Sequence, residues 1–314
     1  MNATEWSYVV FGFVIVIALI FDLGLLSKKS KAVSIKLALL QTIFWVTLGL
    51  GFCVFVWLED GQIKGLEYIS AYLMEWALSV DNIFVFILIF TYFGIDDKYS
   101  NRVLLLGILI AIILRVIFIT VGVVVVQNFA WVLYLFGAFI IYTGIKMLLI
   151  GDANKFDPEE NIVYKLLRKV FPITNEYSEG KFTKMINGKK YFTRLFVVMI
   201  LLATIDLVFA FDSLPAVFAI TQSKMIIYTS NIFAVLGLRS LFFLMRGAVD
   251  KFRYLKEGIA IVLIFIGAKM LITYFDIHLH IWVSLAVIVG CLSFAILFSI
   301  LRKERPTDSN AEIF

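Results

Sequence analysis

Glu75 and Asp81 stand six residues apart inside one long apolar run, and Asp206 and Asp212 repeat that spacing inside another. The two stretches read Glu75-Trp-Ala-Leu-Ser-Val-Asp81-Asn82 and Asp206-Leu-Val-Phe-Ala-Phe-Asp212-Ser213. A carboxylate within a bilayer span is costly unless it is paired, protonated, hydrated or bound to a cation, so these acids mark candidate functional groups. Asn82 and Ser213 add neutral oxygens, and Pro215 lacks the amide that would bond the carbonyl of Phe211, which leaves a further acceptor beside Asp212. Oxygen donors without histidine or thiolate form a hard ligand set, suited to manganese, magnesium or calcium rather than zinc or copper. The cysteines, Cys53 and Cys291, lie in apolar runs, and the histidines, His278 and His280, share one short loop. Neither a disulfide framework nor a zinc, copper or haem centre is expected from them.

Helix geometry limits what each acid can do. At 100° and 1.5 Å per residue, six positions turn the second carboxylate roughly 120° from the first and advance it about 9 Å; seven positions nearly restore the face. Glu75 therefore shares a face with Asn82, and Asp206 with Ser213. Either the spans are broken locally at these motifs, or one acid in each half faces the ion and the other faces a basic partner. The candidate charge partners are Arg115, Lys146, Arg239 and Lys269, the basic residues that lie inside apolar runs. Because they balance the acids, the competing reading is a salt-bridge network that only fixes helix packing. The two readings are compatible: cations that keep the acids ionised must be displaced by an arriving divalent ion, or a proton must be discharged, which would couple metal to proton movement. Asp22, near the end of the first apolar run, is an accessory candidate. Glu67 and Glu257, near span ends, are expected to snorkel to water, and the tryptophans to serve as interface anchors and packing residues.

The elements that must position these groups follow from composition. Of 314 residues, 62% are hydrophobic and 16% charged, outside the range of an ordinary soluble domain. Nine apolar runs are long enough to cross a bilayer, at about 6–26, 36–58, 66–93, 102–126, 129–150, 193–221, 225–246, 254–275 and 279–301. Counting lysine and arginine by connection places 22 on one side of the membrane and only Lys64 and Lys224 on the other. The positive-inside rule then sets the amino terminus outside and the carboxyl terminus in the cytoplasm. The first run is followed, not preceded, by lysines, so it is expected to stay in the mature protein. The net charge of +5 is a topology signal and implies no nucleic-acid partner.

Runs three to five and six to eight carry the same marks in the same order: the acidic motif, then Arg115 or Arg239, then Gly144-Ile-Lys146-Met or Gly267-Ala-Lys269-Met. The arginine-to-lysine gap is 31 residues in one half and 30 in the other. A duplicated unit with an odd number of spans must cross in the opposite sense, so the expected fold is an all-α polytopic membrane protein with an inverted repeat of three-helix units. Residues 1–65 form peripheral spans one and two, 66–150 the first unit, 151–192 a cytoplasmic linker, 193–275 the second unit, and 276–314 span nine with a tail. The linker reads mainly as a solvated connector. Its Asn187-Gly188 pair predicts a hairpin, and residues 161–170 predict a short surface helix with leucines down and Lys165, Arg168 and Lys169 up.

Taken together, Leu78-Ser-Val-Asp81-Asn82, Phe209-Ala-Phe-Asp212-Ser213-Leu-Pro215, Tyr228-Thr-Ser-Asn231 through Arg239, and Phe265-Ile-Gly267-Ala-Lys269 resemble the TerC (Alx-like) family over nearly the whole chain. The resemblance implies a place among lysine-exporter-like transporters, a bacterial inner-membrane location, an association with tellurite resistance, and export of manganese. The family's acidic positions fall on Glu75, Asp81, Asp206 and Asp212. Where members often carry a further glutamate, this chain has Ala203, one carboxylate fewer. The expected function is Mn2+ efflux, with Ca2+ or Mg2+ as alternative cargo and no permanently bound cofactor. Membrane lipid, a second copy of the chain, and proteins at the loop 151–192 are the expected partners. A tellurite-related scaffold acting through those loops, or an amino-acid or anion exporter using Arg115 and Arg239, are the alternatives. An enzyme is not expected, since no nucleophile and base stand at a recognisable spacing.

Overall fold

The apolar runs become long helices because little in them interrupts backbone bonding, and polar or glycine residues mark their ends. In the computed structural model, residues 3–22, 34–129, 131–150, 162–174, 180–246, 254–275, 277 and 279–301 are described. The order is α1 (Ala3–Phe21), α2 (Ile35–Asp60), α3 (Gln62–Tyr92), α4 (Asp97–Asn128), α5 (Val132–Ile150), α6 (Ile162–Val170), β1 (Thr183–Ile186), β2 (Lys189–Phe192), α7 (Arg194–Ile220), α8 (Lys224–Met245), α9 (Leu255–Ile272) and α10 (Ile281–Leu301). Ser34 caps α2 by accepting from the Leu37 amide at 3.3 Å. Gly61, at φ +90°, makes the reversal between α2 and α3 in one residue, a conformation that favours glycine. Among the described residues, six helices are long and apolar enough to cross a membrane by length and composition alone. Of the other long helices, α1 has a described apolar segment at Trp6–Ile20, α3 carries Lys64, Glu67 and Glu75, and α9 carries Lys256, Glu257 and Lys269.

Side-chain contacts give each long helix its direction. Tyr72 meets Gly49 and Trp57 meets Gly65, so α2 and α3 are antiparallel. Glu75 bonds Asn231 while Phe90 packs on Phe242, so α3 and α8 run parallel. Gly107 meets Leu202 and Gly122 meets Phe218, so α4 and α7 also run parallel. The most extensive packings are α5 on α9, α3 on α8, α4 on α7 and α2 on α8. Exchanging α3–α5 with α7–α9 turns the α3–α8 packing into α7–α4 and maps α5–α9 onto itself. The same exchange carries Gly144 onto Gly267 and Gly137 onto Ala260. The contacts follow: Gly144 faces the Ala260 carbonyl and Gly267 the Gly137 carbonyl. A Cβ at Gly267 would lie 2.6 Å from that oxygen and 2.7 Å from Ile141. Gly267→Ala is therefore expected to destabilise the protein by about 1–3 kcal/mol through overpacking. Gly290→Ala, where a Cβ meets nothing within 4 Å, is expected not to destabilise it. Thermal unfolding of the purified proteins checks the pair.

Two expectations are corrected here. The second apolar run is not peripheral: α2 lies against α3 and α8, with Trp45 and Val56 fully buried. Nor is the linker merely a solvated connector. The hairpin forms as expected, with Asn187 and Gly188 at positive φ, and Phe192 and Phe171 pack on Phe196 of α7. Arg102 stacks on Phe182, 5.0 Å from the ring centre. The hairpin and α6 thus close over the bundle end to which α3 descends and from which α4 and α7 rise, the basic end.

Candidate cation site at the repeat interface

Both α3 and α7 are continuous through their acidic motifs, and α7 continues through Pro215. The alternative of locally broken spans is thereby removed, and the helical phase decides which acids meet. Glu75 and Asp206, equivalent positions in the two units, converge on one guanidinium. Arg115, from α4, donates through Nη1 to Glu75 Oε2 at 2.9 Å. Its Nε and Nη2 both reach Asp206 Oδ2, at 3.1 and 2.9 Å. From α8, Asn231 donates to Glu75 Oε1 at 2.6 Å and accepts from Arg115 Nη1 at 3.2 Å. All four side chains are buried. They sit near the middle of α3, α4, α7 and α8, the level and the interface at which inverted-repeat proteins usually place a substrate.

The bonding is uneven. Because Arg115 spends two donors on Asp206 Oδ2, the other oxygen, Oδ1, is buried with no hydrogen-bond partner. Ser213, seven residues along α7 from Asp206, is buried and lies near the Glu75 carboxylate. Ser79, one turn along α3 from Glu75, has a buried Oγ with no hydrogen-bond partner. A buried polar atom left unpaired costs about 1–3 kcal/mol, so Asp206 Oδ1 has room for a further polar partner, a water or a cation; Tyr68, Ser70, Tyr72 and Trp76 carry unpartnered polar atoms elsewhere among the described residues. Apolar packing closes the layer on both sides. Ile119, Leu214 and Val217 lie on one side, and Ile83, Ile108, Leu202 and Leu238 on the basic side.

The remaining sequence candidates separate. Asn82 is buried on α3. The side chains of Asp81 and Asp212 lie outside the described residues. Of the four proposed charge partners, Arg115 is the one that meets Glu75 and Asp206 among the described residues. Lys146 is exposed on α5. Lys269 donates to Ser284 of α10 at 2.9 Å. Glu67, expected to snorkel, instead accepts from Thr221 and Lys64. Arg239, the repeat mate of Arg115, pairs with Asp22 and donates to Asn101 at 3.4 Å. Gln41 and Trp45 of α2 also donate to Asp22, at 2.8 and 3.2 Å. The symmetry breaks because Asp22, just past the end of α1 and held by Gln41 and Trp45 of α2, lies outside the repeat and pairs with Arg239. Trp45 consequently serves a buried bond rather than the interface. Asp22→Asn would leave Arg239 buried without its anion and is expected to cost about 2–3 kcal/mol, read as a lower unfolding temperature with the Glu75–Arg115–Asp206 cluster intact.

Asn231 was not legible as a site residue, although its amide in an otherwise apolar span is itself an unusual polar group. Among the described residues no group of three or more histidine, cysteine, aspartate or glutamate side chains converges. A cation here would rest on two carboxylates completed by the neutral oxygens of Ser79, Ser213 and Asn231.

No solved structure matches the chain. A membrane protein of Myxococcus xanthus, described as uncharacterized, is 43% identical over 299 residues, covering 95% of this chain and 93% of its own. A Rickettsia prowazekii membrane protein, likewise described, is 41% identical, covering 95% and 99%. The putative membrane-bound redox modulator Alx of Escherichia coli is 39% identical, covering 90% of each chain. Residues 60–307 match the integral membrane protein TerC family, a span that includes every acid and base of the site. With that match, and relatives aligned over nearly their whole length, the chain belongs to the TerC family of integral membrane proteins and is an all-α, multi-pass member of it.

Proposed function

We propose that this protein exports a divalent cation, Mn2+, across the bacterial inner membrane, with the basic end of the bundle in the cytoplasm. The observation that carries the reading is the buried polar layer at the repeat interface, in which Arg115 holds Glu75 and Asp206 and leaves Asp206 Oδ1 unpartnered. Two carboxylates and one guanidinium sum to one negative charge. Arginine does not release its proton in proteins, so a divalent ion entering the pair is balanced when the guanidinium swings away. Arg115 then acts as a tethered cation: it keeps the acids ionised between transport events and returns as the metal leaves. Apolar packing on either side fits an occluded intermediate of alternating access between the two units. Manganese is chosen over calcium and magnesium on the strength of the family resemblance, since hard oxygen ligands accept all three.

Proton coupling would enter where an arriving cation discharges a proton rather than displacing Arg115. An anion exporter would need a cation available to its substrate, whereas Arg115 is committed to two carboxylates and is 2% exposed. The test is cellular manganese content and tolerance in a strain lacking the protein. Wild type is expected to restore tolerance and lower manganese; Glu75→Gln and Asp81→Asn are expected to do neither. If loss of the protein leaves manganese content and tolerance unchanged, the cargo is wrong. In proteoliposomes, metal flux indifferent to an imposed pH gradient would remove proton coupling.

A further inference from the structure

We infer that α6 is an interfacial lipid-binding helix whose ligand is anionic phospholipid of the leaflet at the basic end. At about 100° per residue, its nine positions divide into three arcs. Val163, Tyr164 and Leu167 form the first, and it is seated on protein. Leu167 is buried, and Tyr164 packs edge-on against Phe93 beyond the end of α3, ring centres 5.5 Å apart. Ile162, Leu166 and Val170 form the second, contiguous with the first, and they are 82%, 58% and 61% exposed. Lys165, Arg168 and Lys169 form the third, and all are exposed.

A soluble helix of this length would place its whole apolar arc on protein. Here half of that arc has protein beneath it and the other half extends sideways from the bundle at the level where α3 ends and α7 begins. Because α7 is long and apolar enough to cross a membrane from its start at Arg194, we place that level at the boundary between acyl chains and headgroups. An apolar arc at this depth with cations on its opposite side is the arrangement of helices that lie in a membrane surface, and the cations complement anionic headgroups. Arg168 also lies over the Tyr164 ring, 5.7 Å from its centre, which holds its guanidinium along the helix flank. The expectation from sequence had the leucines down together. The structure divides them, Leu167 toward protein and Leu166 outward, and that division identifies the second face.

The test uses the full chain with Cys53→Ala and Cys291→Ala, spin-labelled at Leu166→Cys or Lys165→Cys in phosphatidylcholine nanodiscs with or without phosphatidylglycerol. The label at 166 is expected to be more accessible to oxygen than to a water-soluble nickel reagent, and the label at 165 the reverse. Native mass spectrometry is expected to show phosphatidylglycerol retained in preference to phosphatidylcholine. Lys165→Gln/Arg168→Gln/Lys169→Gln is expected to lower that preference by up to about fivefold per charge removed. A label at 166 open to water in both lipids overturns the proposal, as does one shielded from both reagents, which would mean a protein covers the face. An unchanged lipid preference in the triple variant overturns the anionic specificity. None of these results depends on which cation is transported.

Discussion

Glu75→Gln and Asp206→Asn are each expected to cut Mn2+ flux through the reconstituted protein at least about 30-fold. Either substitution keeps the side-chain volume and removes one negative charge from a pair that must offset a divalent ion. Truncating one member of a buried, hydrogen-bonded charge pair costs about 2–5 kcal/mol, and the low end of that range is already about 30-fold in an equilibrium constant. The loss should not be structural. With one acid neutral, Arg115 keeps the other as its ion-pair partner, at 2.9 Å in either case, and the amide can still accept. Unfolding temperatures near that of wild type alongside lost flux would separate a binding role from a packing role. Wild-type flux in both variants would leave the acids as packing groups.

Arg115→Met is expected to have the largest effect on stability. Glu75 and Asp206 would remain, each 1% exposed, with Asn231 the remaining donor to Glu75. Breaking a buried pair by removing one partner costs about 3–5 kcal/mol, because the remaining charge has neither water nor counterion. The triple variant Glu75→Gln/Arg115→Met/Asp206→Asn is expected to recover most of that loss while transporting nothing, since a buried ion pair replaced by neutral groups of similar volume is often close to neutral. Such non-additivity is what contacting residues show. Thermal unfolding of the purified variants reads it. If Arg115→Met is as stable as wild type, the guanidinium is not the counterion of the pair.

Much of this was legible in the sequence because the bilayer makes few solutions available. Backbone groups must be bonded within the segment, so apolar runs of sufficient length read as helices, and the matched arginine-to-lysine gaps expose the duplication. The hairpin at Asn187-Gly188 was equally plain from its turn residues. Side-chain partners were not. Four bases and four acids match in number, yet number carries no depth or azimuth: Lys146 points out of the bundle, Lys269 reaches Ser284, and Arg239 is taken by Asp22. The outcomes for Arg239 and Lys269 depend on Asp22, α2 and α10, which lie outside the repeat and so have no internal copy to compare. The choice between broken spans and divided faces was likewise beyond spacing alone. It was decided by the continuity of α3 and α7, which turns Glu75 and Asp206 together toward Arg115. Asn231 stood in a quoted motif but gained no site role, because that role comes from the parallel packing of α8 on α3, a tertiary fact.

The central claim is that Glu75 and Asp206 exchange the Arg115 guanidinium for a divalent cation, and titration of Mn2+ into purified protein tests it most directly. Binding to wild type is expected to be opposed by the tethered cation, so Arg115→Met should bind Mn2+ more tightly and gain more thermal stability from it, following the mass-action dependence of stability on ligand. Glu75→Gln/Asp206→Asn should bind none at this site. Equal affinity in wild type and Arg115→Met, or undiminished affinity without the two acids, would contradict the exchange.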